Sequence, residues 1–289
     1  MPATIASAAT LPPLQSAGGR RSHPVHRRGQ GVAPVTESDQ LAQETPVALQ
    51  YNGISHATLL LTPCDLEDFT YGFSFTEGVI RSAADIYDVE IDEQENGIVV
   101  QVEIASACLA QLKQRRRNLA GRTGCGLCGL ESLDEVRRDL PPVQMRRPLV
   151  TEQAIAIATR ALRQLQPLHQ ATGATHAAGW ADAEGAVLHV REDVGRHNAL
   201  DKLIGHLLRH EIDAATGFAV ISSRASFEMV QKAAAAGIGV LVAVSAPTTY
   251  AVHVAEELNI LLAGFARETA FTVYTHPEHL ATDTAPRSL

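Results

Sequence analysis

The stretch Gly217-Phe-Ala-Val-Ile-Ser-Ser-Arg-Ala-Ser-Phe-Glu-Met-Val-Gln-Lys-Ala-Ala-Ala-Ala-Gly-Ile-Gly-Val-Leu-Val-Ala-Val244 decides the fold. Short apolar runs at 218–221 and 240–244 are strands, and the segment between them, 227–236, is a helix. Short apolar strands alternating with helices imply a largely parallel sheet covered by helices. The same rhythm continues outward. Downstream come a helix at 250–258 and strands at 260–263 and 271–274. Upstream lie a strand at 186–190 and a helix at 198–209 that buries Leu200, Leu203, Ile204, Leu207 and Leu208, with a helix rich in Ala, Ile and Leu at 151–165 opening this half. Residues 149–289 therefore read as an α/β domain.

The first half has a different pattern. Residues 47–51, Asn52-Gly53 and 54–61 read as a hairpin, because Asn-Gly readily takes the positive φ of a tight turn. Thr62-Pro63 ends the strand, and a helix starts at Leu66 with Asp65 as its cap. A second hairpin spans 86–91 and 98–104 around Asn96-Gly97, its second strand alternating apolar and polar residues. Residues 107–122 read as a basic helix carrying Lys113, Arg115, Arg116, Arg117 and Arg122. Pro141-Pro142 and Pro148 mark a linker. The expected division is a disordered tail at 1–43, an α+β domain at 44–148 and the α/β domain at 149–289.

Composition excludes several classes. Hydrophobic residues make up 45% of the 289 and charged residues 19%, enough for a packed core. No apolar run reaches the roughly 20 residues of a membrane helix. The net charge of −8 includes Arg20, Arg21, Arg27 and Arg28 of the tail, so the body is more acidic still and unsuited to broad nucleic-acid binding. Arg20-Arg21 is not followed by an apolar segment, so no export signal is read and a cytoplasmic location is expected.

In an open α/β sheet, ligands collect where strand ends lead into helix N-termini. Four such loops should share one edge: 191–198, 222–226, 245–249 and 264–267. They bring small hydroxyls, glycine, Arg196, Arg224 and Arg267 together with helix N-termini, a combination suited to phosphate. The simpler reading makes the Ser and Thr residues ordinary caps. His197 and His176 are candidate acid/base or hydrogen-bonding groups.

The remaining chemistry lies in Gly124-Cys125-Gly126-Leu127-Cys128-Gly129. Four cysteines in a chain of this length do not make a disulfide scaffold. A C-x-x-C pair in a glycine loop fits sulfur transfer, with Arg122 favouring the thiolate, or disulfide exchange. A zinc site needs four ligands; no second pair exists, though Cys64 and Cys108, or a second chain, can supply the rest. A zinc deaminase requires H-x-E and then P-C-x-x-C; Cys125 follows glycine, not proline, so deaminase chemistry is not expected.

Residues 121–129 (Gly-Arg-Thr-Gly-Cys-Gly-Leu-Cys-Gly), Arg191-Glu-Asp-Val-Gly-Arg-His-Asn-Ala-Leu-Asp-Lys202, 222–230, Ser245-Ala-Pro-Thr248, Thr62-Pro63, Phe75-Thr-Glu-Gly78 and Gly264-Phe265 resemble the formate dehydrogenase accessory sulfurtransferases, the FdhD family, from about residue 44 to 276. The resemblance implies a cytidine-deaminase-like three-layer C-terminal domain, without zinc chemistry, beside a mostly β (α+β) N-terminal domain, and a homodimer. It implies a sulfurtransferase that takes persulfide sulfur from a cysteine desulfurase and passes it to the bis-molybdopterin guanine dinucleotide cofactor of formate dehydrogenase. By position, Cys125 carries the persulfide and Cys128 assists. Gly264, Phe265, Ala266, Arg267, Glu268 and Thr269 contact the cofactor, with Ser223, Arg224, Arg196 and His197 nearby on the same edge. No metal of its own is expected. Ala174 stands where many members have a second glycine. A zinc-stabilised scaffold for formate dehydrogenase assembly is the alternative.

Overall fold

The computed structural model describes residues 18–120, 138–145 and 150–281, so the Cys125–Cys128 loop lies outside the described residues. Strands β1 (Arg20–Gly29) and β2 (Val32–Ala42) pair as an antiparallel hairpin. This corrects the expectation of a disordered tail for residues 20–42. The sequence hid it because β1 is exposed or half-exposed along its length and shows no apolar alternation.

Strands β3 (Thr45–Tyr51), β4 (Ile54–Leu61), β5 (Ile86–Gln94) and β6 (Gly97–Ile104) form a sheet in the order β4-β3-β6-β5. Both expected hairpins are present, and the first turns through Asn52 and Gly53 at φ 47° and 76°. The apolar face of the sheet packs on α1 (Leu66–Thr76) through Val47, Leu49, Tyr51, Val100, Phe69 and Phe73. Asp65 is the N-cap residue of α1, but its side chain makes no cap bond and its φ is 52°. Helix α2 (Ser106–Ala120) closes this half, with Cys108 and Leu112 in the core.

The second half comprises α3 (Glu152–Gln164), α4 (Pro167–Thr172), β7 (His176–Asp182), β8 (Val187–Asp193), α5 (Arg196–Arg209), β9 (Gly217–Ile221), α6 (Phe227–Ala235), β10 (Val240–Ala243), α7 (Thr249–Glu257), β11 (Leu261–Gly264) and β12 (Thr272–Thr275). Its six strands run in the order β12-β11-β10-β9-β7-β8. One face packs on α5, α6 and α7 through Ala178, Ala219, Ile221, Leu241 and Leu262. The other packs on α3 through Ala177, Val220, Val242 and Leu261.

The sheet is mixed, not largely parallel as expected. Only β9, β10 and β11 are mutually parallel neighbours; β7 is antiparallel to β8 and β9, and β12 to β11. Strand β7 escapes a sequence reading because Ala177, Ala178, Gly179 and Ala181 have weak β character. Small residues are needed there: a Cβ on Gly179 would meet Leu162 at 3.0 Å and Val220 at 3.2 Å. No helix among the described residues is long and apolar enough to cross a membrane.

Helix α5 joins the halves. It is covered by the six-stranded sheet on one side and by α1 on the other, which is why ten of its residues are buried, Asp201 and Lys202 included. The two helices cross at glycines. A Cβ on Gly72 would run into the Asp201 carbonyl, and one on Gly205 into the Asp68 carbonyl. Charged groups then stitch the crossing. Lys232 lies 2.9 Å from Glu77 and 2.9–3.0 Å from both oxygens of Asp201, which also accepts from Thr76 at 2.7 Å. Burial works against the Lys232 ammonium, but Asp201 and Glu77 outweigh it and hold it above its usual range. On the far side, Asp68 receives Arg191 at 2.7 Å and also pairs with Arg209. Burial opposes its ionisation, and the two arginines more than compensate. Gly205→Ala is predicted to destabilise the protein by about 3 kcal/mol, the upper end for overpacking, although alanine is the better helix former. Urea denaturation measures this, and an unchanged or raised midpoint would refute the close crossing.

Candidate functional site

Strand β8 is two antiparallel steps from β9, so β8, β9, β10 and β11 point the same way and their outgoing loops share one edge. The antiparallel β7 begins there too, placing His176 opposite Asp193. The loops touch one another. Ala225 bridges Pro247, Thr248 N–H donates to the Ala225 carbonyl at 3.0 Å, and Phe265 N–H to the Ser245 carbonyl at 3.1 Å. Gly264 must be glycine, since a Cβ would meet Pro247 at 2.7 Å and Tyr274 at 3.1 Å. Helices α5, α6 and α7 all present their N-termini here, a fixed partial positive charge.

The hydroxyls divide between the two readings. Thr248 is an ordinary cap, accepting from Ala251 N–H at 3.2 Å. Ser226 occupies the N-cap of α6 without capping it, and its Oγ lies 3.4 Å from His197 Nε2. Ser222 Oγ accepts from Ala177 N–H at 2.8 Å, and buried Ser223 donates to the Arg224 carbonyl at 3.0 Å. His197 Nε2 is 2.7 Å from Glu228. Burial pushes the His197 pKa down, Glu228 opposes this, and Arg196 adds to the fall. His176 is lowered in the same way, by burial and then by Arg196.

The arginines differ. Arg196 stands first in α5, and its Nε is buried without a hydrogen-bond partner among the described residues. Arg224 is exposed, with no ion-pair partner among them. Arg267 is held by its own edge, donating to the Val244 carbonyl at 2.6 Å and the Ala266 carbonyl at 3.0 Å. In the 264–269 segment Phe265 is 49% exposed at φ 53° and Ala266 is fully buried. Glu268 turns toward α3, pairing with Arg160 at 3.2 Å, and Thr269 is exposed. Ala174 is exposed and has no positive φ, so a side chain is accommodated there.

Most of the long 191–202 stretch serves the fold. Glu192 accepts from the N–H groups of Leu168 and His169 at 2.9 and 2.8 Å, closing the start of α4. Asp193 and Lys202 form a fully buried pair at 2.7 Å. That pair grips the Thr62 turn, Thr62 N–H donating to Asp193 at 2.9 Å and Lys202 donating to the Thr62 carbonyl at 2.9 Å. Asn198 donates to Asp193 at 3.0 Å and to the Leu60 carbonyl at 3.1 Å. Only Arg196 and His197 of this stretch belong to the edge. The buried ions Asp193, Asp201, Lys202 and Lys232 were not singled out from sequence; the available signal was an Asp-Lys pair inside a helix apolar on both sides.

Cys125 and Cys128 lie outside the described residues, but the elements flanking them do not. Arg115 of α2 donates to the Glu77 carbonyl at 3.2 Å. Arg138, the first described residue after the loop, donates to the Phe75 and Thr76 carbonyls, and its N–H donates to Gln231 at 2.7 Å. Arg115 and Arg138, on either side of the segment, are thus both held at the C-terminus of α1, where Glu77 pairs with Lys232. Neither other cysteine is activated. Burial pushes the Cys64 thiol up despite Lys202 at 3.8 Å, and burial also raises Cys108.

The loops carrying Arg196, Arg224 and Arg267 and the N-termini of three helices thus share one edge of a mixed α/β protein. The chain matches the family described as FdhD/NarQ over residues 42–281, and it belongs to that family, as the quoted residues implied. It is 60% identical over 253 residues to the sulfur carrier protein FdhD of Bordetella petrii, covering 88% of this chain and 91% of that one. It is 57% identical over 242 residues to the protein of the same name from Cupriavidus necator, covering 84% of each. A crystal structure assigned as a formate dehydrogenase accessory protein from Desulfotalea psychrophila shares the fold, with a TM-score of 0.74 at 22% identity over 91% of this chain and all of that one.

The His197 arrangement is testable. By NMR titration the His197 midpoint should lie below the ordinary imidazole value of 6.5. Arg196→Ala should move that midpoint up and Glu228→Gln move it further down. Shifts of opposite sign would contradict the contacts described.

Proposed function

We propose that this chain is a sulfur carrier that loads Cys125 with persulfide sulfur from a cysteine desulfurase. It then delivers that sulfur to a bis-molybdopterin guanine dinucleotide cofactor destined for formate dehydrogenase. The observation that carries this reading is the convergence of Arg196, Arg224, Arg267 and three helix N-termini on one sheet edge, in a chain whose close relatives are named sulfur carriers. A pterin guanine dinucleotide is a polyanion, and such an edge suits its pyrophosphate groups. The partly buried Arg196, its Nε without a partner, fits a role in ligand binding.

Loading needs no outside oxidant. The Cys125 thiolate attacks the outer sulfur of the donor persulfide, the donor S–S bond breaks, and the donor leaves as a thiolate. For release, the Cys128 thiolate attacks the inner, Cys125 sulfur, and the bond to the outer sulfur breaks. That sulfur leaves as hydrosulfide for the acceptor, while a Cys125–Cys128 disulfide forms and supplies the two electrons. The 264–269 segment, Ser223, Arg224, Arg196 and His197 hold the acceptor. Transfer takes place in the cytoplasm in a homodimer, and the layers of the α/β half are read as cytidine-deaminase-like.

Incubation with a cysteine desulfurase and cysteine, followed by mass spectrometry under non-reducing conditions, tests the loading step. One added sulfur is expected on Cys125, absent in Cys125→Ala and retained in Cys128→Ala. No adduct on the unmodified chain, or an undiminished one in Cys125→Ala, would overturn the assignment.

A further inference from the structure

The opposite end of the sheet holds a cluster that sulfur transfer does not use. Strand β12 ends at Thr275, and His276-Pro277-Glu278-His279 folds back as a single 3-10 turn against the end of α7. One ligating atom each from His276, Glu278 and His279 lies within 4.8 Å of the other two. The two imidazoles are stacked, with centroids 5.2 Å apart and planes inclined by 19°.

Their outer contacts determine where the hydrogens sit. His276 Nε2 is 2.9 Å from the backbone carbonyl of Glu256, which can only accept, so Nε2 carries the hydrogen. Its Nδ1 faces a Glu278 carboxylate oxygen at 2.9 Å and, in the metal-free protein, carries the proton that a bound ion would displace. His279 Nε2 is 2.8 Å from Asn259 Oδ1. That amide is oriented independently, because its Nδ2 donates to the Val143 carbonyl at 2.8 Å. The His279 Nε2 therefore also carries a hydrogen, and Nδ1 is its free lone pair. Displacing the His276 Nδ1 proton leaves two imidazole nitrogens and a carboxylate facing one another. An imidazole N–H held by a carbonyl oxygen, with the other nitrogen free, is the outer arrangement typical of metal-bound histidine.

We propose that His276, Glu278 and His279 form a binding site for a divalent first-row transition metal, with its remaining positions open to water. Two imidazoles and a single carboxylate favour zinc, nickel or copper over magnesium or calcium, which take oxygen donors. The bound ion would clip the end of β12 to the end of α7 and, through Asn259, to Val143. It is a structural clip at the far edge, independent of the sulfur chemistry. The H-x-E spacing at 276–278 lies after the cysteine pair, the reverse of the deaminase order, and here the glutamate is a ligand. Without an ion, the same residues make only the His276–Glu278 ion pair.

Calorimetry with Zn(II) on the untagged full chain carrying Cys125→Ser and Cys128→Ser separates the two, since those substitutions remove the competing thiols. One ion per chain should bind, raising the melting temperature. Glu278→Gln and His279→Ala should each weaken binding by about tenfold to a hundredfold or more while keeping the metal-free circular dichroism spectrum. His189→Ala, which removes the separate His189–His206 contact, should leave binding unchanged. Absence of saturable binding, binding indifferent to Glu278 and His279, or binding lost with His189 would overturn the site.

Discussion

The crossing of α1 on α5 is the constraint on which the rest of the molecule depends. Two backbones approach so closely at Gly72 and Gly205 that neither position admits a Cβ. The buried ions around that contact have few other ways to be satisfied. Lys232 is held by Asp201 and Glu77, Lys202 by Asp193, and Asp68 by two arginines. Breaking such a pair by removing one partner typically costs about 3–5 kcal/mol, because the survivor is left buried and uncompensated. Each of these clusters draws its members from both halves of the chain or grips a backbone group of the other half.

That seam gives the proposed chemistry its geometry. Helix α5 starts at the shared sheet edge with Arg196 and His197, and about a turn and a half later supplies Asp201 and Lys202 to the seam. Arg115 and Arg138, on either side of the segment with Cys125 and Cys128, both hold the C-terminus of α1, the other member of the crossing. The elements on either side of the Cys125–Cys128 segment and the edge carrying Arg196 are therefore tied to the same pair of helices. A carrier that must hand a reactive sulfur to a second molecule gains from such a shared frame, since misplacement of the groups by about an ångström can cost two orders of magnitude in rate.

The sequence made the local patterns legible and hid what depends on distant contacts. Asn52-Gly53 announced its turn, and the apolar runs at 218–221 and 240–244 announced parallel strands with loops on a common edge. Strand β7 was invisible because a strand squeezed between neighbours and covered on both faces is built of alanine and glycine. The β1–β2 hairpin was invisible because it has no apolar face to betray it. The motif at 191–202 drew attention as a functional signature, yet Glu192, Asp193, Asn198, Asp201 and Lys202 serve packing and only Arg196 and His197 reach the edge. No local pattern distinguishes a charge that meets a ligand from one that meets a partner a hundred residues away. Asp68 and Arg191 make the point, at 2.7 Å across 123 positions.

Native-state hydrogen exchange tests the seam most directly, by comparing amides of β3 and β6 in the four-stranded sheet with amides of β9 and β10 in the six-stranded one. If the halves are one cooperative unit, the slowest amides of both sheets open with the same free energy, equal to that of global unfolding. A four-stranded sheet that opens at a free energy several kcal/mol lower, while β9 and β10 stay protected, would show that the crossing does not bind the halves together.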